Sequence, residues 1–506
     1  MPTDERQPGY DLSVSVTPQA FEVLRAIRVE RVSRFRLHAP VLTPERSARL
    51  KTPASELVLR LLDGAGDPVE RFGWPGTATL FDDRINLRTG DFTGSPFVAT
   101  NWFGQLRFPV GSASVRYLFF SRTDVGIGPD RTPAFSEKAI GAYDLKAESG
   151  PPFPPWPLPW PDPPIPLPLP PVGPDFKHLR PRERRIPPEV LATRLPDVRR
   201  IIDSGRPSDN AFDIVILSEG FQNAELPTFW MWATLLANGL VLTAPYAAFQ
   251  DRINVHGVGV ASEQSGVTLV SPPGLPPENV VVNTFVQCKG YFHGKPSRTF
   301  FGTDALGVVQ DAVSWAVPYA QADLIAILVN LAVPGGGSAD PPNRQIFVPL
   351  IADPDKFINT VAHESGHVVA HAGEEYIGCI AYNVADDHPN VATQDEVDAD
   401  AVPWKSLARP NELRSDGRFA AVHAYGDPMT AECQPIMSGA LTGALGLYWG
   451  CQYTDPAIGS ACDPYCDQRS ASFYRPMAEC KMRRSRYTFC RVCAKKISEA
   501  ILSAAP

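Results

Sequence analysis

His363-Glu364-Ser365-Gly366-His367 is the stretch on which the reading of this chain turns. On an α-helix, residues i and i+4 lie about 40° apart around the axis and roughly 6 Å apart along it. Both imidazoles then reach one tetrahedral zinc ion at about 2.0–2.1 Å. Glu364 flanks the same point, where a carboxylate can take a proton from a metal-activated water and pass it to a leaving amine. The flanks support a helix. Asp355-Lys356-Phe357-Ile358-Asn359-Thr360-Val361-Ala362 leads in with an acidic first turn and spaced apolar residues, and Val368-Val369-Ala370 continues the pattern.

Two histidines leave the metal shell incomplete, and His371-Ala372-Gly373-Glu374-Glu375-Tyr376 holds the candidates for a third ligand. On an unbroken helix Glu374 would lie about 10 Å beyond His367, so the chain has to turn back. Gly373 is the expected turning point, since glycine accepts positive φ. That turn would swing Glu374 or Glu375 under the ion. His371 is the rival, but three histidines on one straight helix would span about 12 Å, which suits it better to a place on the helix face.

The motif resembles the H-E-x-G-H…D-E-Y signature of the IgA peptidase family of zinc metallopeptidases, the igalysins grouped with the metzincins. Phe212-Asp213-Ile214-Val215-Ile216-Leu217-Ser218-Glu219-Gly220-Phe221 resembles that family's opening strand, and Arg252-Ile253-Asn254-Val255-His256 with Ser262-Glu263-Gln264-Ser265-Gly266 resembles the next. Asp323-Leu324-Ile325-Ala326-Ile327-Leu328-Val329-Asn330 with Gly335-Gly336-Gly337 is similar to its glycine-marked edge region. Tyr474-Arg475-Pro476, Cys480-Lys481-Met482-Arg483 and Phe489-Cys490-x-x-Cys493 match its closing signature. The resemblance covers about 300 residues, from near 205 to near 495. It implies a Zn²⁺ cofactor held by His363, His367 and Glu374, with Glu364 as general base. Glu374 stands where the family carries Asp, and His371 where it carries a small residue. The resemblance also casts Met482 as the methionine of a turn beneath the metal. Tyr474 becomes a candidate hydrogen-bond donor to an oxyanion, set against the plainer role of a half-buried tyrosine. Glu375 is kept as the alternative ligand, or as an acceptor that orients a ligating imidazole.

At 506 residues the chain exceeds one core. The fold expected is multidomain, an N-terminal β-sandwich followed by an α/β (α+β) metzincin-like zinc peptidase domain with a mixed twisted sheet. Residues 1–148 are the expected sandwich, 149–175 a proline-rich linker, and 176–506 the peptidase domain with a cysteine-rich C-terminal subdomain. Residues 10–16, 56–62 and 113–119 alternate as strands do, with turn-rich stretches such as 63–68 between them. Between Pro151 and Pro174 fourteen of twenty-four residues are proline, a composition for polyproline II rather than helix or central strand. Trp156, Trp160, Ile165, Leu167 and Leu169 interleave with those prolines, which suggests a strap laid on a domain surface. Downstream, strands near Ile214, Ile253 and Leu324 alternate with helices from about Ala224 to Leu242 and from Ala305 to Ala316, ahead of the zinc helix. A substrate strand is expected to add at the sheet edge near residues 344–348 or at the Gly335 loop.

Seven of nine cysteines fall between Cys433 and Cys493. Disulfides are the favoured reading, because only Cys490-Arg491-Val492-Cys493 has metal-knuckle spacing; a second, structural zinc is the alternative. The family and the cysteines point outside the cell, yet residues 1–12 have no apolar signal core and no stretch spans a membrane, so localisation stays open. A net charge of −8 argues against a nucleic-acid partner. The run from Asp395 to Asp400 is acidic but lacks the glycine and terminal glutamate of a calcium loop, and reads as a solvated loop. A protein or peptide substrate is the expected partner. A catalytically silent protease fold used for binding or adhesion is the competing function, and the intact His363, Glu364 and His367 weigh against it.

Overall fold

Phe212–Glu219 and Ala322–Val329 are near-continuous apolar runs, and both are strands buried along their whole length. Such runs belong in the middle of a sheet covered on both faces, where no position meets water. The computed structural model describes residues 7–16, 21–32, 54–66, 68–75, 78–85, 92–94, 97–99, 102–109, 115–127, 133–145, 196–270, 283–291, 301–303, 305–331, 336–375, 380–381, 388–423, 444–449, 451, 453–454, 473–484 and 487–506. The proline-rich stretch 149–175, the run 180–185, Gly335, Tyr376, Cys379, Cys433, Cys462 and Cys466 lie outside them. The chain divides into two units, one of Met1–Thr79, Val98–Lys177 and Asn383–Asp387, the other of Leu80–Phe97, His178–Tyr382 and His388–Pro506.

Ten strands come first along the described chain: β1 (Gln7–Val16), β2 (Phe21–Val32), β3 (Ala54–Leu62), β4 (Pro68–Pro75), β5 (Ala78–Ile85), β6 (Phe92–Gly94), β7 (Phe97–Ala99), β8 (Trp102–Pro109), β9 (Tyr117–Ile127) and β10 (Pro133–Asp144). Those of the first unit form two antiparallel sheets, ordered β2-β1-β8 and β10-β9-β3-β4. Alternate residues point inward, as strand geometry requires. Leu12, Val14 and Val16 of one sheet and Leu57, Leu59, Leu61 and Phe120 of the other share a single core. Phe21 and Phe120 stack there with ring centroids 3.5 Å apart.

The second unit is built on a mixed sheet. Its strands include β11 (Asp197–Ile202), β12 (Phe212–Glu219), β13 (Ile253–Gly259), β17 (Ala322–Val329), β18 (Ser338–Asp340) and β19 (Gln345–Pro349), with β14 (Thr268–Val270), β15 (Cys288–Tyr291) and β16 (Phe301–Thr303) forming a small sheet of their own. The order is β11-β13-β12-β17-β19-β18-β5-β6, parallel from β13 to β19 and antiparallel at β11 and β18. Flanking it are the helices α1 (Leu226–Leu242), α2 (Leu306–Ser314), α3 (Pro354–Ala370) and, after the short α4 (Gln394–Asp398), α5 (Arg491–Ala504). Ile214 and Ile216 of β12 and Leu324, Ala326 and Leu328 of β17 pack in one core with α1, α3 and α5. The intervening Val215, Leu217, Ile325 and Ile327 pack in another with α2. The alternation of strands and helices read from the sequence is thus present as an α+β arrangement. α1 comes close to α3 at Gly239, where a Cβ would lie 2.5 Å from Cγ1 of Ile358.

Two expectations are corrected. β19 is not an edge strand: it pairs with β17 on one side and β18 on the other, and β18 in turn pairs with β5. Backbone groups already used in two ladders cannot take up a substrate strand. The acidic run from Asp395 to Asp400 is not simply a solvated loop either. Thr393 caps α4 by accepting from Glu396 N at 3.2 Å, and the Glu396 carboxylate accepts from Thr393 N at 2.8 Å, a capping box.

The chain closes with short strands β20 (Ile380–Ala381) and β24 (Tyr453–Thr454), which pair, and with β21 (Ala392–Thr393), β22 (Val422–His423), β23 (Leu447–Trp449) and β25 (Phe473–Arg475), ordered β21-β25-β23-β22. Among the described residues no single helix is long and apolar enough to cross a membrane.

Candidate metal centre

α3 starts at Asp353, whose side chain accepts from the amides of Asp355 and Lys356 at 3.1 and 3.2 Å, and runs through the whole motif. From Thr360 to Val368 every residue is buried. The i, i+4 spacing puts His363 and His367 on one face, with Nε2 atoms 3.2 Å apart and rings at 85° to each other. Each ring is fixed from behind: His363 Nδ1 lies 3.0 Å from the Lys481 carbonyl, and His367 Nδ1 2.7 Å from that of Ala372.

The helix ends earlier than glycine placement suggests. His371, at φ 50° and ψ 34°, makes the left-handed turn, and Ala372 N donates to Gly366 O at 3.2 Å. The reversal therefore falls at His371 rather than Gly373. The helix-end hydrogen bond and the packing beyond it override the local preference of glycine, at the cost of a non-glycine residue in αL. Gly373 is instead gripped by Asn390, which accepts its N–H at 2.7 Å and donates to its carbonyl at 2.9 Å.

This turn sends the two adjacent glutamates to different places. Glu374, fully buried, puts Oε1 3.0 Å from His367 Nε2 and Oε2 3.6 Å from His363 Nε2. Glu375 turns to Asn390 Nδ2 at 2.9 Å and to the sulfurs of Cys490 and Cys493. Its carboxyl is pushed well above the usual carboxylate range, first by burial and then by the nearby Cys480.

A cation fits the first cluster on chemical grounds. A carbonyl oxygen only accepts, so both Nδ1 atoms carry the protons and both Nε2 atoms present lone pairs. Two lone pairs and a carboxylate converging at 3.0–3.6 Å repel one another unless a positive charge lies between them. Tetrahedral ligands at about 2.0–2.1 Å from zinc are themselves about 3.3 Å apart, the spacing found here.

Around this cluster the remaining candidates fall out clearly. Glu364 is fully buried and packs on Gly337, where a Cβ would sit 2.7 Å from Glu364 Cγ and 2.9 Å from Oε1. Met482 packs beneath the helix, its sulfur 2.6 Å from where a Cβ on Gly366 would be. A side chain in place of Gly366 would require Met482 and Phe489 to shift. Tyr474 is buried and donates its hydroxyl proton to Gln394 Oε1 at 2.6 Å, the plainer of its two expected roles. His371 is exposed, and its carbonyl lies 2.9 Å from His388 Nδ1. Burial, the largest influence on His388, lowers it to about 4 and keeps it neutral.

Several contributors left no trace in the motif. Asn390 lies on a distant loop, and the carbonyls of Lys481 and Ala372 are main-chain atoms. Tyr246 donates to Ser365 Oγ at 2.9 Å and ties the helix to the segment before β13. Cysteine pairing is also corrected. Among the described residues Cys288, Cys451, Cys480, Cys490 and Cys493 are in no disulfide, and the Cys480 and Cys493 sulfurs are 3.9 Å apart, far beyond a bonded pair at about 2.05 Å.

Comparison with known families supplies the class the site alone does not, a peptidase, a hydrolase of peptide bonds. The stretch from residue 200 to residue 413 matches the family model described as IgA Peptidase M64. It contains β12, the motif helix and both glutamates, and stops short of Met482 and the C-terminal cysteines. No curated protein matches the chain.

Proposed function

We propose that the chain is a zinc-dependent endopeptidase with a metzincin-like active site, in which His363, His367 and Glu374 hold the metal and Glu364 is the general base. The observation that carries the reading is the convergence of two Nε2 lone pairs and the Glu374 carboxylate on one point, on the helix that also carries Glu364. Zinc held there would supply Lewis acidity, polarising the scissile carbonyl and acidifying a water. The Glu364 carboxylate takes the proton of the attacking water and returns it to the leaving nitrogen. Its burial keeps competing solvent away, and Gly337 leaves room for it. Lys481 and Ala372, through their carbonyls, hold the two imidazoles in the tautomer that presents Nε2. Met482 forms the apolar floor under Gly366.

Peptide segments of proteins are the substrate class. The test is casein cleavage by the purified chain, its loss on removal of metal by a chelator, and its return on adding zinc. His363→Ala should lose both the activity and the zinc of this site. Cleavage that survives complete metal removal would contradict the reading, and no cleavage by the zinc-loaded chain would favour a silent scaffold.

A further inference from the structure

We propose that Glu375, Cys480, Cys490 and Cys493 form a second, structural zinc site, separate from the histidine site. It goes beyond the proposed activity and does not rest on it. The four ligand atoms lie within 4.8 Å of one another, and every one of these residues is buried. Cys480 Sγ is 3.9 Å from Cys493 Sγ, while Glu375 Oε1 is 3.7 Å from Cys490 Sγ and 3.8 Å from Cys493 Sγ. Zinc with sulfur ligands at about 2.3 Å and an oxygen at about 2.0–2.2 Å has ligand–ligand edges of about 3.5–3.8 Å. These three separations are close to the edges of such a tetrahedron, and the Cys480–Cys493 distance is too long for a disulfide.

The backbone is arranged for thiolates. Cys490 caps α5, its N–H donates to Cys480 Sγ at 3.2 Å, and Cys493 N–H donates to Cys490 Sγ at 3.5 Å. Amides at a helix start favour the charged sulfur. The C-x-x-C pair is one knuckle, and Cys480 and Glu375 replace the second. A zinc ion among them is what would let three thiolates and a carboxylate stay charged when buried together. Buried Arg475 and Arg483, whose charges act on Glu375, offset the remaining negative charge.

The position gives the site a purpose. Glu375 follows Glu374 directly, and Cys480 precedes Lys481 and Met482, whose carbonyls accept from His363 Nδ1 at 3.0 Å and from Glu375 N at 3.1 Å. One ion thus clamps the loop bearing Glu374 to the turn that backs the His363 ring.

The full-length chain tests this. Wild type should bind about two zinc ions, and both His363→Ala/His367→Ala and Cys490→Ser/Cys493→Ser should bind about one. With Co²⁺ in place of zinc, wild type and the histidine variant should share intense thiolate-to-cobalt charge-transfer absorption, which the cysteine variant lacks. If the cysteine variant does not fold, X-ray absorption on wild-type zinc decides: the averaged shell should hold about three sulfurs per two ions. A sulfur-free shell, absence of the cobalt–thiolate band in wild type, or a disulfide among Cys480, Cys490 and Cys493 in the purified protein would overturn the proposal.

Discussion

Glu374 and Glu375 are neighbours in sequence, yet their carboxylates reach different clusters because the chain leaves the helix at His371 and adjacent side chains then project to different sides. Glu374→Ala should remove the zinc of the histidine site. Glu375→Ala should leave that zinc weakened by no more than about 10–100-fold, the range for a residue acting through another ligand. A competition titration against a chromophoric chelator in the Cys490→Ser/Cys493→Ser background, where the histidine site alone holds zinc, separates the two, and equal losses there would show that both carboxylates serve that ion. Gly366 makes a second point at this scale. Gly366→Ala places a methyl 2.6 Å from the Met482 sulfur and 2.9 Å from the Phe489 ring, both in the buried core. Overpacking of this kind costs about 1–3 kcal/mol, so denaturant unfolding should show a loss in that range. An unchanged midpoint would mean that Met482 moves aside freely.

At the scale of elements, legibility followed how local the cause was. The α3 histidines and the apolar runs of β12 and β17 could be read because helix and strand periods are written in adjacent residues. The turn could not. Gly373 has the better intrinsic propensity, but the amide of Ala372 closes on Gly366 O, and Asn390 holds Gly373 from seventeen residues away. The Lys481 and Ala372 carbonyls belong to the main chain and carry no side-chain signal. Cys490 and Cys493 were readable as a knuckle, but their partners Cys480 and Glu375 are joined to them only by the fold. The edge near β19 was misread because its covering strand, β18, is three residues long and pairs onward with β5 from far upstream.

α5 offers a test at the same scale. Arg491, at its first turn, donates to both oxygens of Glu412 at 2.8 and 2.9 Å, and the same carboxylate accepts from Arg409 N at 2.8 Å and Leu445 N at 3.0 Å. Burial alone would raise Glu412, but these donors prevail and hold it down to about 2 from an ordinary 4.5. A depressed carboxyl stabilises the fold above its unfolded value and loses that contribution as pH falls from about 4.5 towards about 2. Glu412→Gln should therefore be less stable than wild type at neutral pH by about 1.5–3 kcal/mol, with the gap closing as pH falls through that window. A gap independent of pH would show that the pair adds nothing through its charge.

At the scale of the whole molecule, the mixed sheet is the platform on which α3 presents the motif. The core that α1, α3 and α5 share also takes in Ala372, Cys480 and Met482, so the turn after His371 and the 480–482 segment pack on the motif within it. Everything then rests on whether the Glu364 carboxylate moves protons. The direct measurement is casein hydrolysis by wild type and by Glu364→Gln, both confirmed to be folded and to carry equal zinc. The amide keeps the shape and removes the base, so the rate should fall by at least about 10²–10⁴ with metal content unchanged. Metal-dependent hydrolysis at the wild-type rate in Glu364→Gln would contradict the account.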